Sequence, residues 1–86
     1  MHYLTVEEVM SDYLTGDGDG WFGEFKYLRE EHANKIRALT RDVLMHGMKE
    51  PILLGDDGRV WDGHNRIYVA YHMGFESIPV KYARNA

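Results

Sequence analysis

The segment Asp62-Gly63-His64-Asn65-Arg66 stands between a short apolar run and a stretch with helical spacing. The run before it predicts a strand over residues 59–62. The stretch after it predicts a helix from about His64 to Met73, ended by Gly74. A glycine between a strand and a helix leaves the first N–H groups of the helix free, and these groups carry a partial positive charge. The junction therefore predicts a site for an anion such as phosphate.

The side chains of this segment suit the same chemistry. Arg66 offers a forked, charge-assisted contact to phosphate, and His64 and Asn65 are candidates to bind the same anion. Asp62 is a candidate for holding a cation or for orienting His64. Taken alone, the segment is also consistent with ordinary turn chemistry, in which Asp62 caps the helix and His64 and Asn65 are solvated.

Outward from the junction, the chain of 86 residues predicts one α+β domain, with a short mixed sheet packed against about three helices. Asp57-Gly58 indicates a hairpin turn, and the pair Thr5 and Glu8 indicates a capping box at a helix start. The pattern of residues 21–28 does not distinguish between a strand, a loop and the start of a helix. The remaining elements are predicted as helices over 6–14, 31–46 and 64–73 and strands over 51–54, 59–62 and 78–82.

Two aromatic residues near the junction are assigned to the core. Val60 and Trp61 alternate on the predicted strand, so one of them faces inward, and we assign Trp61 to the core rather than to a stacking platform for bases. Tyr71 follows Ile67 at helical spacing, and we assign it to the buried face of its helix.

The composition and charge of the chain exclude several classes of function. The absence of cysteine excludes disulfides, thiol catalysis and cysteine-based zinc sites. The apolar stretches are too short to cross a membrane, and the N-terminus lacks a signal-peptide pattern, so we expect a cytoplasmic protein. The net charge of −4 argues against coating of nucleic acid by charge alone. That charge is uneven, because residues 1–31 hold eight acids and two bases, whereas residues 32–86 hold six acids and eight bases.

No metal site is predicted. The five histidines lack a spacing typical of metal ligands. The acidic loop from Asp17 to Gly20 invites comparison with a calcium-binding loop. The comparison fails, because Trp21 and Phe22 stand where such a loop needs an oxygen ligand and a glycine. We interpret the loop as an acidic turn.

An ordered set of motifs lies between about residues 31 and 82. The motifs are a helix ending at Gly47, the Pro51-Ile52 strand, a turn, the helix start Gly63-x-x-Arg66 and the ending Gly74-x-x-x-Ile78-Pro79-Val80. In order and spacing they resemble those of the ParB/sulfiredoxin superfamily, and in particular the ParB N-terminal or "ParB-like nuclease" domain. This resemblance implies a single small ParB-like domain over 1–86, with a core at 31–82 and a variable, acidic and aromatic-rich part at 1–30.

The resemblance implies a ligand as well. In this superfamily the Gly-x-x-Arg turn cradles nucleotide phosphates, those of CTP in ParB proteins and of ATP in sulfiredoxins. We therefore expect a nucleotide or another phosphate ligand, CTP or ATP with Mg²⁺. By this resemblance Gly63 and Arg66 contact the phosphates, and His64 and Asn65 line the same turn.

Residues before the hairpin complete the implied site. Pro51 and Ile52 match the strand beside the family's pocket, and Lys49 reaches the pocket from the start of that strand. NTP hydrolysis or phosphoryl transfer is a further expectation. The candidates for catalytic groups are Asp62, His64 and Glu50.

The sequence also departs from the family. The sulfiredoxin cysteine falls at His64, which excludes reduction of a sulfinic acid. The Glu-Arg-Arg run common in ParB is replaced by His64-Asn65-Arg66, which speaks against CTP hydrolysis of the ParB type. The helix-turn-helix and dimerisation domains of ParB do not follow the last strand, so centromere-type DNA binding is not expected.

Two alternative functions stay open. The first is a non-catalytic module whose exposed aromatic patch, with Trp21, Phe22 and Phe25 as candidates, binds another protein. The sequence leaves open whether these aromatic residues form such a patch or belong to the core. Small standalone domains of this kind resemble accessory proteins of phages and mobile elements, which implies a host protein as partner. The second is a ParB-like nuclease or DNA-binding protein, a weaker prediction because the carboxylates are few. The sequence does not determine the oligomeric state, and a homodimer is compatible with it.

Overall fold

A computed structural model describes residues 2–16 and 20–83 and confirms the α+β class. The acidic loop residues Asp17, Gly18 and Asp19 lie outside the described residues. Within the described part, no helix is long and apolar enough to span a bilayer. The elements in chain order are β1 (His2–Thr5), α1 (Val6–Asp12), α2 (Trp21–Glu31), α3 (Ala33–His46), β2 (Ile52–Leu54), β3 (Val60–Asp62), α4 (His64–Met73) and β4 (Ser77–Tyr82).

The four strands form one mixed sheet in the order β1-β4-β2-β3. β4 runs antiparallel to β1 and parallel to β2, while β2 and β3 form the predicted antiparallel hairpin. Pro79 therefore lies in an interior strand, although proline has no backbone N–H to donate to a neighbouring strand. It is tolerated because β2 pairs with β4 only from Val80 onward, so that at Pro79 the strand has one paired neighbour, Tyr3 of β1.

The described residues form four helices, where the sequence predicted about three. The undecided aromatic run forms α2, because Trp21, Phe25 and Leu28 recur at helical spacing and are all buried. The sequence analysis also missed β1, a largely exposed strand whose ladder with β4 defines it.

The first helix is shorter than predicted. α1 ends at Asp12, and Leu14 instead pairs with the hairpin. The Leu14 N–H donates to the Gly58 carbonyl at 2.9 Å, and the Val60 N–H donates to the Leu14 carbonyl at 2.9 Å. These bonds extend the sheet beyond β3 by a single bridge.

The core consists of two apolar clusters that meet at α4. Ile67 and Ala70 belong to the cluster between the sheet, α1 and α2, whereas Val69 belongs to the cluster with Leu28, Ile36 and Val43 of α2 and α3. α4 thus holds the layers together. The fully buried side chains on the sheet side include Ile52, Leu54, Val60, Ile67, Ile78 and Val9.

Trp61 and Tyr71 correct two core assignments. Val60 is the buried member of its pair, and Trp61 is 42% exposed. The Trp61 indole lies over Gly55, where a Cβ would overlap the ring, and its Nε1–H donates to Asp57 Oδ1 at 2.9 Å. The hairpin thereby covers Trp61 without burying it. Tyr71 is likewise 42% exposed, because Ile67 and Ala70 occupy the face of α4 that meets the sheet.

The capping box at α1 is present. The Glu8 N–H donates to Thr5 Oγ1 at 3.0 Å, and the Thr5 N–H donates to Glu8 Oε1 at 3.0 Å. We expect Thr5→Ala to lower the free energy of unfolding by about 1 kcal/mol, the usual cost of losing an N-cap side chain. Urea unfolding followed by circular dichroism measures this change. An unchanged midpoint would show that the box does not stabilise the fold.

The carboxylate of this box also predicts a pH dependence. The hydrogen bonds from Thr5 hold the pKa of Glu8 below its ordinary value of 4.5. A lowered folded-state pKa adds stability that is present above that ordinary value and is lost as the pH falls below it. We expect Glu8→Gln to lose less stability than the wild type between about pH 5.5 and pH 3. Parallel pH profiles for the two proteins would contradict this.

Candidate functional site

Gly63 places the start of α4 against β2. Its φ of +106° lies in the left-handed region, which glycine adopts without strain. A Cβ at this position would come within 2.8 Å of Ile52 Cδ1 and 3.3 Å of Arg66 Nη2. Since glycine has no side chain, Gly63 cannot cap the first N–H groups of α4. The predicted junction thus exists, with its backbone donors at the positive end of a ten-residue helix.

Arg66 ties the first turn of α4 to the start of β2. Its Nη2 donates to the Pro51 carbonyl oxygen at 3.2 Å and lies 3.5 Å from Asp62 Oδ2. The Arg66 side chain is 20% exposed and that of Asp62 is 74% exposed, so the ion pair is largely screened by water. Arg66 Nε is buried and has no hydrogen-bond partner among the described residues.

Asn65 contributes a second buried polar atom to the same turn. Its Oδ1 is inaccessible to solvent and has no partner within residues 2–16 and 20–83. Buried polar atoms without partners are uncommon in folded proteins, because desolvation is then uncompensated. Two such atoms, Asn65 Oδ1 and Arg66 Nε, lie in the first turn of α4.

A cleft of about 340 Å³ opens beside Arg66. The C-terminal end of α3, residues 47–50 and Arg66 enclose it. Lys49 and Glu50, both predicted as site residues, line this cleft together with Arg66. Leu39 and Val43 of α3 supply apolar wall. The structure thus brings together three of the predicted residues at a cavity of the size usual for small ligands.

The cleft also contains two residues that the sequence analysis missed. Asp42 and His46 of α3 line it. A sequence signal for them existed, because residues 39, 42, 43 and 46 fall on one helix face directly before Gly47. Asp42 adds a carboxylate to that of Glu50, so the lining holds two carboxylates as well as the two cations Lys49 and Arg66.

His64 lies away from this cleft. Its Nε2 accepts a hydrogen bond from the Gly16 N–H at 3.1 Å, and its ring centroid is 5.8 Å from that of Trp21. An Nε2 that accepts a hydrogen bond carries no proton, so the neutral ring has its proton on Nδ1. His64 therefore joins the segment after α1 to the start of α4 and is not part of the cleft lining.

Ile52 and Pro51 lie next to the Gly63 turn and Arg66. Ile52 is fully buried in the core beneath Gly63, and its predicted contact with a ligand stays a prediction. The Pro51 carbonyl is already bonded to Arg66. Both residues position the Gly63 turn and the Arg66 guanidinium.

Of the three aromatic residues proposed for partner binding, two are buried and one is exposed. Trp21 is 8% exposed and Phe25 is 2% exposed, so these two are core residues and the exposed patch predicted from them is wrong. They are buried because helix α2 turns one face to the sheet, and Trp21 Nε1–H also donates to the Tyr13 carbonyl at 2.8 Å. Phe22, on the other face, is 66% exposed.

The described residues hold no group of three or more His, Asp and Glu side chains able to ligate a metal ion. Asp62, the candidate for cation binding, points a largely exposed carboxylate at Arg66. A divalent ion at the cleft would therefore need ligands from a bound molecule in addition to Asp42 and Glu50.

Comparison with known proteins identifies the fold. No family model and no curated protein matches the chain. Among solved structures, the C2221 form of a Pnob8-like ParB-N domain is similar, with a TM-score of 0.68 and 15% sequence identity. The chain has a ParB-N-like fold. The similarity covers 99% of this chain, including its acidic N-terminal third, and 30% of that chain.

Replacing the junction glycine tests its geometry. We expect Gly63→Ala to lower the free energy of unfolding by about 1–3 kcal/mol, because alanine is strained at positive φ and its Cβ would crowd Ile52. Gly23→Ala is the matched control. Gly23 lies in α2 with no atom near its would-be Cβ, so alanine there should add about 0.5–1 kcal/mol. Urea titration measures both, and equal effects would contradict the assigned role of Gly63.

Proposed function

We propose that the protein binds a nucleotide or a related phosphate-bearing ligand in the cleft between α3, residues 47–50 and the first turn of α4. The observation that carries the proposal is the placement of Arg66. Its guanidinium lines the cleft at the positive end of α4, with a buried Nε that no described residue satisfies. An arginine in the first turn of a helix offers phosphate a forked, charge-assisted contact near the positive end of that helix. Arg66 is the residue of this turn that lines the cleft, and Gly63, His64 and Asn65 are not part of its lining.

The charges of the cleft favour a phosphate that arrives with a metal ion. Lys49 and Arg66 offer positive charge to phosphate oxygens. Asp42 and Glu50 would repel a bare phosphate, but they suit Mg²⁺, which is usually held by one or two carboxylates together with substrate phosphates. We therefore expect Mg²⁺ to strengthen binding of a nucleoside triphosphate such as CTP or ATP.

The apolar part of the lining suits the rest of such a ligand. Leu39, Val43 and Met48 line the cleft beside the charged groups. Small-molecule sites commonly combine an apolar wall with a few placed polar groups. In this arrangement the phosphates lie at Lys49 and Arg66, and the base or sugar lies toward α3.

Among the three candidates for catalysis, Glu50 is best placed. It lines the cleft with Lys49 and Arg66. Asp62 is largely exposed and paired with Arg66, and His64 is engaged by Gly16 on the other side of the turn. Any hydrolysis of a bound nucleotide is therefore assigned to a water oriented by Glu50.

Nucleotide binding is tested with Lys49→Ala. Lys49 is exposed, so its replacement should leave the fold intact. We expect calorimetry with CTP, ATP and GTP in Mg²⁺ to show binding of at least one nucleotide to the wild type. Lys49→Ala should raise its Kd roughly tenfold, as expected for loss of one charge-assisted contact.

Lys26→Ala is the matched control, since it removes the same charge from an exposed site on α2 outside the cleft. It should bind as the wild type does. Arg66→Lys, which keeps the charge but loses the fork, should weaken binding while its melting temperature reports any loss of the Pro51 contact. Failure of all three nucleotides to bind, or equal Kd values for the Lys49 and Lys26 variants, would refute the proposal.

Glu50→Gln separates binding from hydrolysis. The amide keeps the shape of the side chain but cannot act as a base. We expect this variant to bind the nucleotide and to release inorganic phosphate about 10²–10⁴ times more slowly than the wild type. A colorimetric phosphate assay measures the rate. Equal phosphate release by both proteins would remove Glu50 from the chemistry.

A further inference from the structure

A second cavity, away from the cleft, lies between α1, α2 and α4. Its volume is about 680 Å³. We call it the α1–α2 groove. Its apolar lining includes Met10, Leu14, Trp21, Phe22 and Tyr71. Three of these side chains are strongly exposed, since Leu14 is 52%, Phe22 66% and Tyr71 42% accessible.

The aromatic wall of the groove is held in place by the core. Phe22 contacts Tyr71 edge to face at a centroid distance of 5.8 Å, and both rings contact the buried Phe25 at 6.0 and 5.3 Å. The exposed rings are therefore already held in place before a partner binds, so binding does not have to order them. Rigid aromatic side chains with a well-packed base are the residues that dominate binding energy at protein interfaces.

The charge of the groove selects the partner. Glu7 and Asp12 are the charged groups that line it, so among the described residues its lining is acidic with no lysine or arginine. An apolar ligand with lysine or arginine at its flanks complements this surface, whereas an acidic one is repelled.

The same charges argue against a second copy of the chain in this position. A symmetric dimer formed groove to groove would bring Glu7 and Asp12 of one copy against those of the other. Like charges at an interface oppose association. The groove is also walled by helices rather than by a strand edge, which fits an inserted helix better than an added strand.

We propose that the α1–α2 groove binds an amphipathic, lysine- or arginine-bearing helix of a partner protein. Apolar side chains at positions i, i+3 or i+4, and i+7 of that helix lie against Leu14, Phe22 and Tyr71. Its basic residues lie against Glu7 and Asp12. This surface is separate from the phosphate cleft and does not depend on it.

The test uses a defined probe, a fluorescein-labelled 18-residue helical peptide with leucines at i, i+3, i+4 and i+7, lysines at the positions that flank them and alanines elsewhere. A second peptide keeps the leucines and has glutamates in place of the lysines. We expect fluorescence anisotropy to show binding of the lysine peptide, weakened by added salt, and no binding of the glutamate peptide. Binding of both peptides with equal Kd would overturn the assigned partner chemistry.

Variants of the protein locate the binding. Phe22→Ala should raise the Kd of the lysine peptide about tenfold or more. The matched control is Tyr27→Ala, because Tyr27 is a 52% exposed aromatic residue on the same helix outside the groove. The double variant Glu7→Lys, Asp12→Lys should abolish binding of the lysine peptide and allow the glutamate peptide to bind.

Two results would overturn the proposal. One is equal weakening by Phe22→Ala and Tyr27→Ala, which would indicate nonspecific attraction. The other is a dimer in light scattering that Phe22→Ala dissociates, which would assign the groove to a second copy. The melting temperatures of the variants show whether each protein is folded.

Discussion

The close approach of Gly63 to Ile52 is the constraint on which the arrangement of the domain depends. A residue with a side chain would have to move Ile52, which lies at the centre of the core, and would be strained at a φ of +106°. Because glycine permits the contact, α4 begins directly against β2. Its buried faces then meet both apolar clusters, through Ile67 on the sheet side and Val69 on the side of α2 and α3.

The same junction separates two surfaces of different chemistry. On one side Arg66 is fixed by the Pro51 carbonyl at the edge of a cleft with two cations and two carboxylates. On the other side His64 is fixed by Gly16, which brings the end of the α1 segment and the groove region against the start of α4. The proposed phosphate site and the proposed helix-binding groove share no lining residue.

The local elements around the junction could be predicted because short-range interactions determine them. Asp57-Gly58 forms a turn, Gly74 ends α4 at a positive φ, and the predicted helix bounds of 64 and 73 match α4. β1 could not be predicted, since none of its four residues is fully buried and the ladder with β4 defines it. Trp61 was misassigned for a related reason. Alternation shows that Val60 and Trp61 face opposite sides, but only the hairpin packing over Gly55 shows which side is the core.

The candidate site shows the same division. The sequence by itself determined the α+β class, the strand-glycine-helix junction and the presence of Arg66 in its first turn, because turn chemistry and hydrophobic spacing are properties of neighbouring residues. The tertiary structure alone decided that Lys49, Glu50 and Arg66 share a cleft with Asp42. It alone turned His64 away from that cleft, and it buried Trp21 and Phe25 while leaving Phe22 exposed. These outcomes depend on contacts between residues far apart in the chain, and no local pattern encodes which face of an element such contacts will cover.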